Sequence, residues 1–168
     1  MKKILQLYRR IIEAIGKFEL AFGITFLAIM VSCIFAQVFS RYGLGRPLKW
    51  VEEFSTYCFI WATYVGAAYA LKQARHIRIL TFVDILPAGV KIFLSFFTYI
   101  CIIFFLVYGV KYGIAQARME AVQTTIALPV RLSRKYFYST PLVFACISML
   151  MTCVYFILED IAKLFRKK

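Results

Sequence analysis

The chain has 168 residues, 62% of them hydrophobic and only 17% charged, whereas about a quarter of the residues of a soluble domain are charged. Its formal net charge of +13 calls for no nucleic acid, because basic residues flanking apolar helices meet anionic lipid headgroups. The charges leave four uncharged windows, Leu20–Ser40, Phe54–Leu71, Ile92–Val110 and Tyr136–Leu158, which argues against a soluble bundle, whose helices would show polar residues on one face every third or fourth position.

The windows hold 21, 18, 19 and 23 residues, matching the roughly 20 that a helix needs to cross about 30 Å of hydrocarbon. The expected fold is an all-α membrane protein with four transmembrane helices, spanning about residues 18–40, 52–71, 90–112 and 136–160 of a single membrane domain. Ahead of the first span, Ile4, Tyr8, Ile11, Ile12 and Ile15 share one helical face, with Lys2, Lys3, Gln6, Arg9, Arg10 and Glu13 largely opposite. That pattern predicts an amphipathic interfacial helix over residues 1–17. The first window is too long for a cleavable signal core and no small-x-small pattern follows it, so it is expected to remain in the mature protein.

The first connection, 41–51, carries Arg41, Arg46 and Lys49, and Trp50, Glu52 and Glu53 open the second span. Two roles compete for these carboxylates. At a helix N-terminus each gains about 0.3–1 kcal/mol from the dipole and has Arg41, Arg46 or Lys49 nearby to pair with; alternatively the pair faces a partner protein. Along the same span Ala62, Gly66 and Ala70 recur every four residues. Such a small-residue stripe is a close-packing seam, either internal or with a partner.

The second connection, 72–89, mixes charges with Ile77, Ile79, Leu80 and Phe82 and is expected to lie at the membrane interface. His76 within it is either a pH-sensitive contact or a plain interfacial side chain. The third span carries Phe93, Phe96, Phe97, Phe104 and Phe105 all around the helix, which suits lipid contact or a large knobbed interface. The third connection, 113–135, is the long polar stretch and is expected to be the largest periplasm-facing surface. Tyr136, Phe137 and Tyr138 then mark a headgroup level. Beyond them, Thr140 as N-cap with Pro141 as first helical residue would start the last helix, or Pro141 kinks a helix begun earlier.

Orientation follows from the excess of Lys and Arg in cytoplasmic segments. The N-terminus, second connection and C-terminus carry 13 against 8 in the other two connections, which favours both termini in the cytoplasm. Connections 41–51 and 113–135 are then periplasmic.

None of the windows contains Asp, Glu, Lys, Arg or His, the groups that ion and proton paths through membranes use. Glu19 stands only at the cytoplasmic mouth of the first span, not embedded in it as an exporter of this size requires. Cys33, Cys58, Cys101, Cys146 and Cys153 all fall inside spans, so no disulfide framework or zinc site is expected. A bis-histidine haem site needs at least two histidines, and the sequence has one.

In order along the chain, Gln37-Val38-Phe39-Ser40-Arg41-Tyr42, Trp50-Val51-Glu52-Glu53, Trp61, Gly66-Ala67-Ala68, His76-Ile77-Arg78, and Leu128-Pro129 followed by Tyr136 and Pro141 resemble the small membrane subunit of tripartite ATP-independent periplasmic (TRAP) transporters, the DctQ type. The resemblance covers nearly the whole chain. It implies a non-catalytic scaffold in the bacterial inner membrane, paired with a large TRAP membrane subunit that carries substrate and Na+, and served by a periplasmic substrate-binding protein. No cofactor is implied for this chain. Carried over, Arg41, Trp50, Glu52 and Glu53 would anchor the periplasmic side, and His76 with Arg78 the cytoplasmic side. The family often has an acidic residue soon after the histidine, whereas Asp84 here lies eight positions on. The implied substrates are small carboxylates, of the C4-dicarboxylate or sialic acid class. The rival readings are a stand-alone four-helix membrane enzyme and a self-assembling exporter.

Overall fold

The computed structural model of the protein describes residues 2–73 and 88–166, and these are helical apart from short connections. In chain order the elements are α1 (Lys2–Gly43), α2 (Lys49–Gln73), α3 (Ala88–Glu120), a 3-10 turn (Arg134–Tyr136) and α4 (Ser139–Arg166). Among the described residues three segments, Leu5–Gly43, Phe96–Glu120 and Arg134–Ala162, are long and apolar enough to cross a membrane. The chain is a multi-pass membrane protein. The 25 residues of α2 are long enough too, but Ser55, Thr56, Thr63 and several tyrosines make it the more polar helix.

The expected break near residue 17 between a surface helix and the first span has no counterpart in the backbone. Residues Lys2–Gly43 form one helix of 42 residues, about 63 Å long at ~1.5 Å per residue. No proline interrupts it, and isolated Gly16 and Gly23 each cost only about 1 kcal/mol against alanine. It stops at Gly43, and Gly45 then takes φ 66°, a conformation glycine adopts without strain.

The third helix also outruns its expected end at residue 112, since its backbone continues to Glu120. The 113–135 connection is shortened accordingly. Pro141 is the third residue of α4, in the first turn where a missing N–H leaves no intrahelical bond unmade. It therefore belongs to a helix start rather than a kink, two residues further in than the N1 position.

Contacts fix the topology. The pairs Gln37–Glu52 and Glu19–Lys72 make α1 and α2 antiparallel. Gly113 against Val143 and Gly109 against Cys146 do the same for α3 and α4. Trp61 meeting Tyr136, and Lys72 meeting Ser148, make α2 and α4 run parallel.

Two apolar clusters hold the bundle. Ile12, Tyr99, Tyr155 and Phe156 bring α1, α3 and α4 together, while Leu106, Cys146 and Cys153 lie between α3 and α4. A Cβ on Gly113 would stand 2.8 Å from Val143 Cγ2, so glycine is what permits that close approach. Large apolar side chains elsewhere point outward, Phe35 at 75% exposure on α1 and Phe105 at 74% on α3 among them.

Candidate functional site at the two ends of the second helix

The N-terminal end of α2 is assembled from backbone amides. Residues 126–128 fold back so that three consecutive N–H groups point at one carboxylate. Ile126 N–H donates to Glu53 Oε1 at 3.1 Å, while Ala127 and Leu128 donate to Oε2 at 2.6 and 2.9 Å. The Tyr57 hydroxyl, one helical turn on, donates to Glu53 Oε1 at 2.5 Å. Bonds from neutral N–H groups to a charged acceptor are the stronger kind, and the geometry is that of an amide nest closed by an anion. Pro129 contributes no donor, so the turn has no further amide to satisfy at that position.

The rest of this connection is also bonded internally. Thr125 N–H donates to Leu132 O at 2.9 Å and Arg134 N–H to Gln123 O at 2.9 Å. Thr125 Oγ1 donates to Val130 O and accepts from Leu132 N–H. At its base Ser139 Oγ donates to Glu120 Oε2. Beneath it the buried Tyr57 ring stacks on Phe137 with centroids 4.1 Å apart, and Trp61 Nε1 donates to Tyr136 O at 3.2 Å.

Glu52 takes a different role. It is exposed, accepting from Gln37 Nε2 at 3.3 Å. Gln37 Oε1 in turn accepts from Leu48 N–H at 3.1 Å, and Ser40 Oγ donates to Arg46 O at 2.6 Å. Two residues of the Gln37–Tyr42 motif thus close the turn between α1 and α2. The expected pairing of Glu52 or Glu53 with Arg41, Arg46 or Lys49 does not form: Glu52 accepts from Gln37, and Glu53 from Tyr57 and the amides of residues 126–128. Three amides already hold Glu53, and Arg41 is exposed in the last turn of α1. Trp50 is 42% exposed beside them.

At the other end of α2 lies a site that the uncharged windows concealed. Lys72 Nζ donates to Glu19 Oε1 at 2.8 Å and Oε2 at 2.7 Å, and to Ser148 Oγ at 2.7 Å. Ser148 Oγ donates back to Glu19 Oε1 at 2.5 Å. The Glu19 side chain is 0% exposed and that of Lys72 7%. One signal was present in the sequence: Glu19 directly precedes the first window and Lys72 directly follows the second, so a helical hairpin sets them at one level.

The stripe Ala62, Gly66 and Ala70 is not the buried face of α2, which consists of Val51, Ser55, Tyr57, Cys58, Val65 and Ala68. Instead Ala62 and Gly66 line an apolar groove of about 240 Å³ with Gly23, Ile24, Leu27 and Phe59. A Cβ on Gly66 would meet nothing within 4 Å, so the groove has room there. His76 and Arg78 lie outside the described residues.

The sequence matches the family model of tripartite ATP-independent periplasmic transporters, DctQ component, over residues 30–163. It is similar to a TRAP transporter small permease protein of Haemophilus influenzae, 35% identical over 75 residues, 45% of this chain and 47% of the relative. It is also similar to the ectoine TRAP transporter small permease protein TeaB of Halomonas elongata, 33% identical over 50% of this chain and 46% of the relative. A third is the sialic acid TRAP transporter small permease protein SiaQ of Vibrio cholerae, 30% identical over 52% of this chain and 49% of that relative. The matched region thus spans about half the length of these curated relatives.

Proposed function

We propose that this chain, which belongs to the DctQ-component family of tripartite ATP-independent periplasmic transporters, is the non-catalytic small subunit that braces a larger membrane subunit during import. The observation that carries this reading is the closed Glu19–Lys72–Ser148 cluster. A chain transporting alone needs an embedded ionisable group free to bind and release its cargo. Here the buried carboxylate is neutralised by a lysine and held by a hydroxyl, which suits a rigid brace and disfavours the exporter reading.

In this reading the four helices cross the bacterial inner membrane with both termini cytoplasmic. The contact of the Tyr8 ring with that of Tyr155, centroids 5.7 Å apart, supports termini on one side, because it brings the start of α1 beside the later half of α4. The polar face of residues 1–17 then lies at the cytoplasmic surface. Coupling Na+ and substrate belong to the large subunit, and a periplasmic binding protein delivers the substrate. The relatives' names span ectoine, sialic acid and C4-dicarboxylates, all carrying a carboxylate, so a small carboxylate is the proposed cargo class.

The test is to solubilise a tagged chain from its native membrane and identify what accompanies it. A large polytopic membrane protein in stoichiometric amount is the expected result. Recovery of the chain alone, or of catalytic activity from it alone, would sink the scaffold reading.

A further inference from the structure

The connection between α3 and α4 has the chemistry of a segment seated in lipid, not of one exposed to the periplasm. We propose that residues 121–133 insert into the headgroup–acyl boundary of the leaflet at the N-terminal end of α2. Three observations, independent of the subunit's role in transport, carry this.

The first is placement. Residues 126–138 contact α2 from Glu53 to Trp61, about 12 Å along its axis at ~1.5 Å per residue. Most of that length belongs to the uncharged stretch Phe54–Leu71, so the connection runs from a root at membrane depth, where residues 136–138 meet Tyr57 and Trp61, to a tip at the charged edge, Glu53.

The second is the state of the backbone. An irregular segment in water leaves its amides to the solvent, whereas in a bilayer each unbonded N–H costs several kcal/mol and must be satisfied within the protein. The tip amides of Ile126, Ala127 and Leu128 end on Glu53. Those of Thr125, Leu132 and Arg134 end on neighbouring residues of the same connection, and Pro129 has none, while the N–H groups of Val122, Thr124, Val130, Arg131 and Ser133 are left to water or headgroup oxygens, which suits the boundary and not the hydrocarbon.

The third is the outer face. Val122 and Ile126 are 87% and 86% exposed, and Val130 is 58% exposed. The Ile126 side chain projects from an amide bonded inward to Glu53, and the exposed Arg131 follows Val130. Apolar tips with an adjacent guanidinium match acyl chains below and phosphates above. A periplasmic protein docked on this face is the competing occupant, and it would leave α2's outer turns to lipid without explaining why the tip amides of 126–128 turn inward onto Glu53.

A photoreactive benzophenone amino acid placed at Ile126, and separately at Val122, tests the proposal in the full chain within its native membrane. Irradiation should raise the intact mass of the chain by one phospholipid at both positions. A protein adduct at either position would overturn the proposal in favour of a docking surface, and an irradiated chain with no adduct would overturn it in favour of an aqueous loop. Both side chains are exposed, so the replacements leave the packing alone; a parent-like thermal transition verifies this.

Discussion

Lys72 and Glu19, 53 residues apart in the chain, meet at 2.7 Å with Ser148 from a third helix bonded to both. One cluster therefore fixes the relative positions of α1, α2 and α4. Removing one partner leaves a buried charge without compensation, a loss of about 3–5 kcal/mol. Glu19→Gln and Lys72→Met are each expected to lower the thermal transition of the purified chain markedly. The double variant should be less destabilised than either single one, because no orphan charge remains. Additive losses would show that the pair is not coupled.

The two carboxylates opening α2 should respond unequally. Glu53→Gln removes the charge and an acceptor from the amides of residues 126–128. At about 1.5–3 kcal/mol for a hydrogen bond to a charged group, a loss near 2 kcal/mol means roughly 30-fold faster amide exchange. Hydrogen exchange read at Ile126 and Ala127 checks this. Glu52→Gln, which affects one part-buried 3.3 Å bond to Gln37 and none to residues 126–128, should leave the same amides within about twofold.

Two glycines separate internal packing from an outward seam. Gly113→Ala forces a Cβ to within 2.8 Å of Val143 and should cost about 1–3 kcal/mol as α3 is pushed off α4. At Gly66 a Cβ meets nothing within 4 Å and the groove holds about 240 Å³, so Gly66→Leu should leave the melting of the isolated chain unchanged. Under the scaffold reading, co-purification of the large subunit should fall severalfold in Gly66→Leu. Full recovery of the complex would assign the groove to lipid.

Gln37→Met should weaken the α1–α2 turn by about 1–3 kcal/mol, since it leaves the Leu48 N–H without its acceptor. Urea or thermal unfolding of the purified chain measures the loss. An unchanged transition would mean that solvent replaces the bond without penalty.

Much of the architecture was legible in the sequence because a bilayer imposes two blunt requirements, apolar length and charge at the ends. Helix positions followed from those, and the Gln37–Tyr42 and Trp50–Glu53 motifs carried the family. What windows cannot express is contact across helices. Glu19 and Lys72 read as two flanking charges, and only their helices' antiparallel packing turns them into a buried pair. Glu53 read as a dipole cap with basic neighbours because acidic and basic side chains are visible in a sequence, whereas three amides of a distant turn are not. The uninterrupted α1 was missed for the opposite reason. The change from mixed to apolar composition at residue 17 marks a change of surroundings, and a helix passes through such a change without breaking its hydrogen bonds.

The parallel pair α2 and α4 is staggered: Tyr136, just ahead of α4, lies level with Trp61, twelve residues into α2, or about 18 Å. Between the uncharged stretches, which begin at Phe54 and Tyr136, the offset is about 10 Å, a third of a ~30 Å hydrocarbon slab. The bilayer must thin on one flank, or the bundle must lean, at a modest cost per ångström. In the first case a neighbour bound to its side would sit in a membrane already thinned there; in the second it would meet α2 and α4 at a tilt.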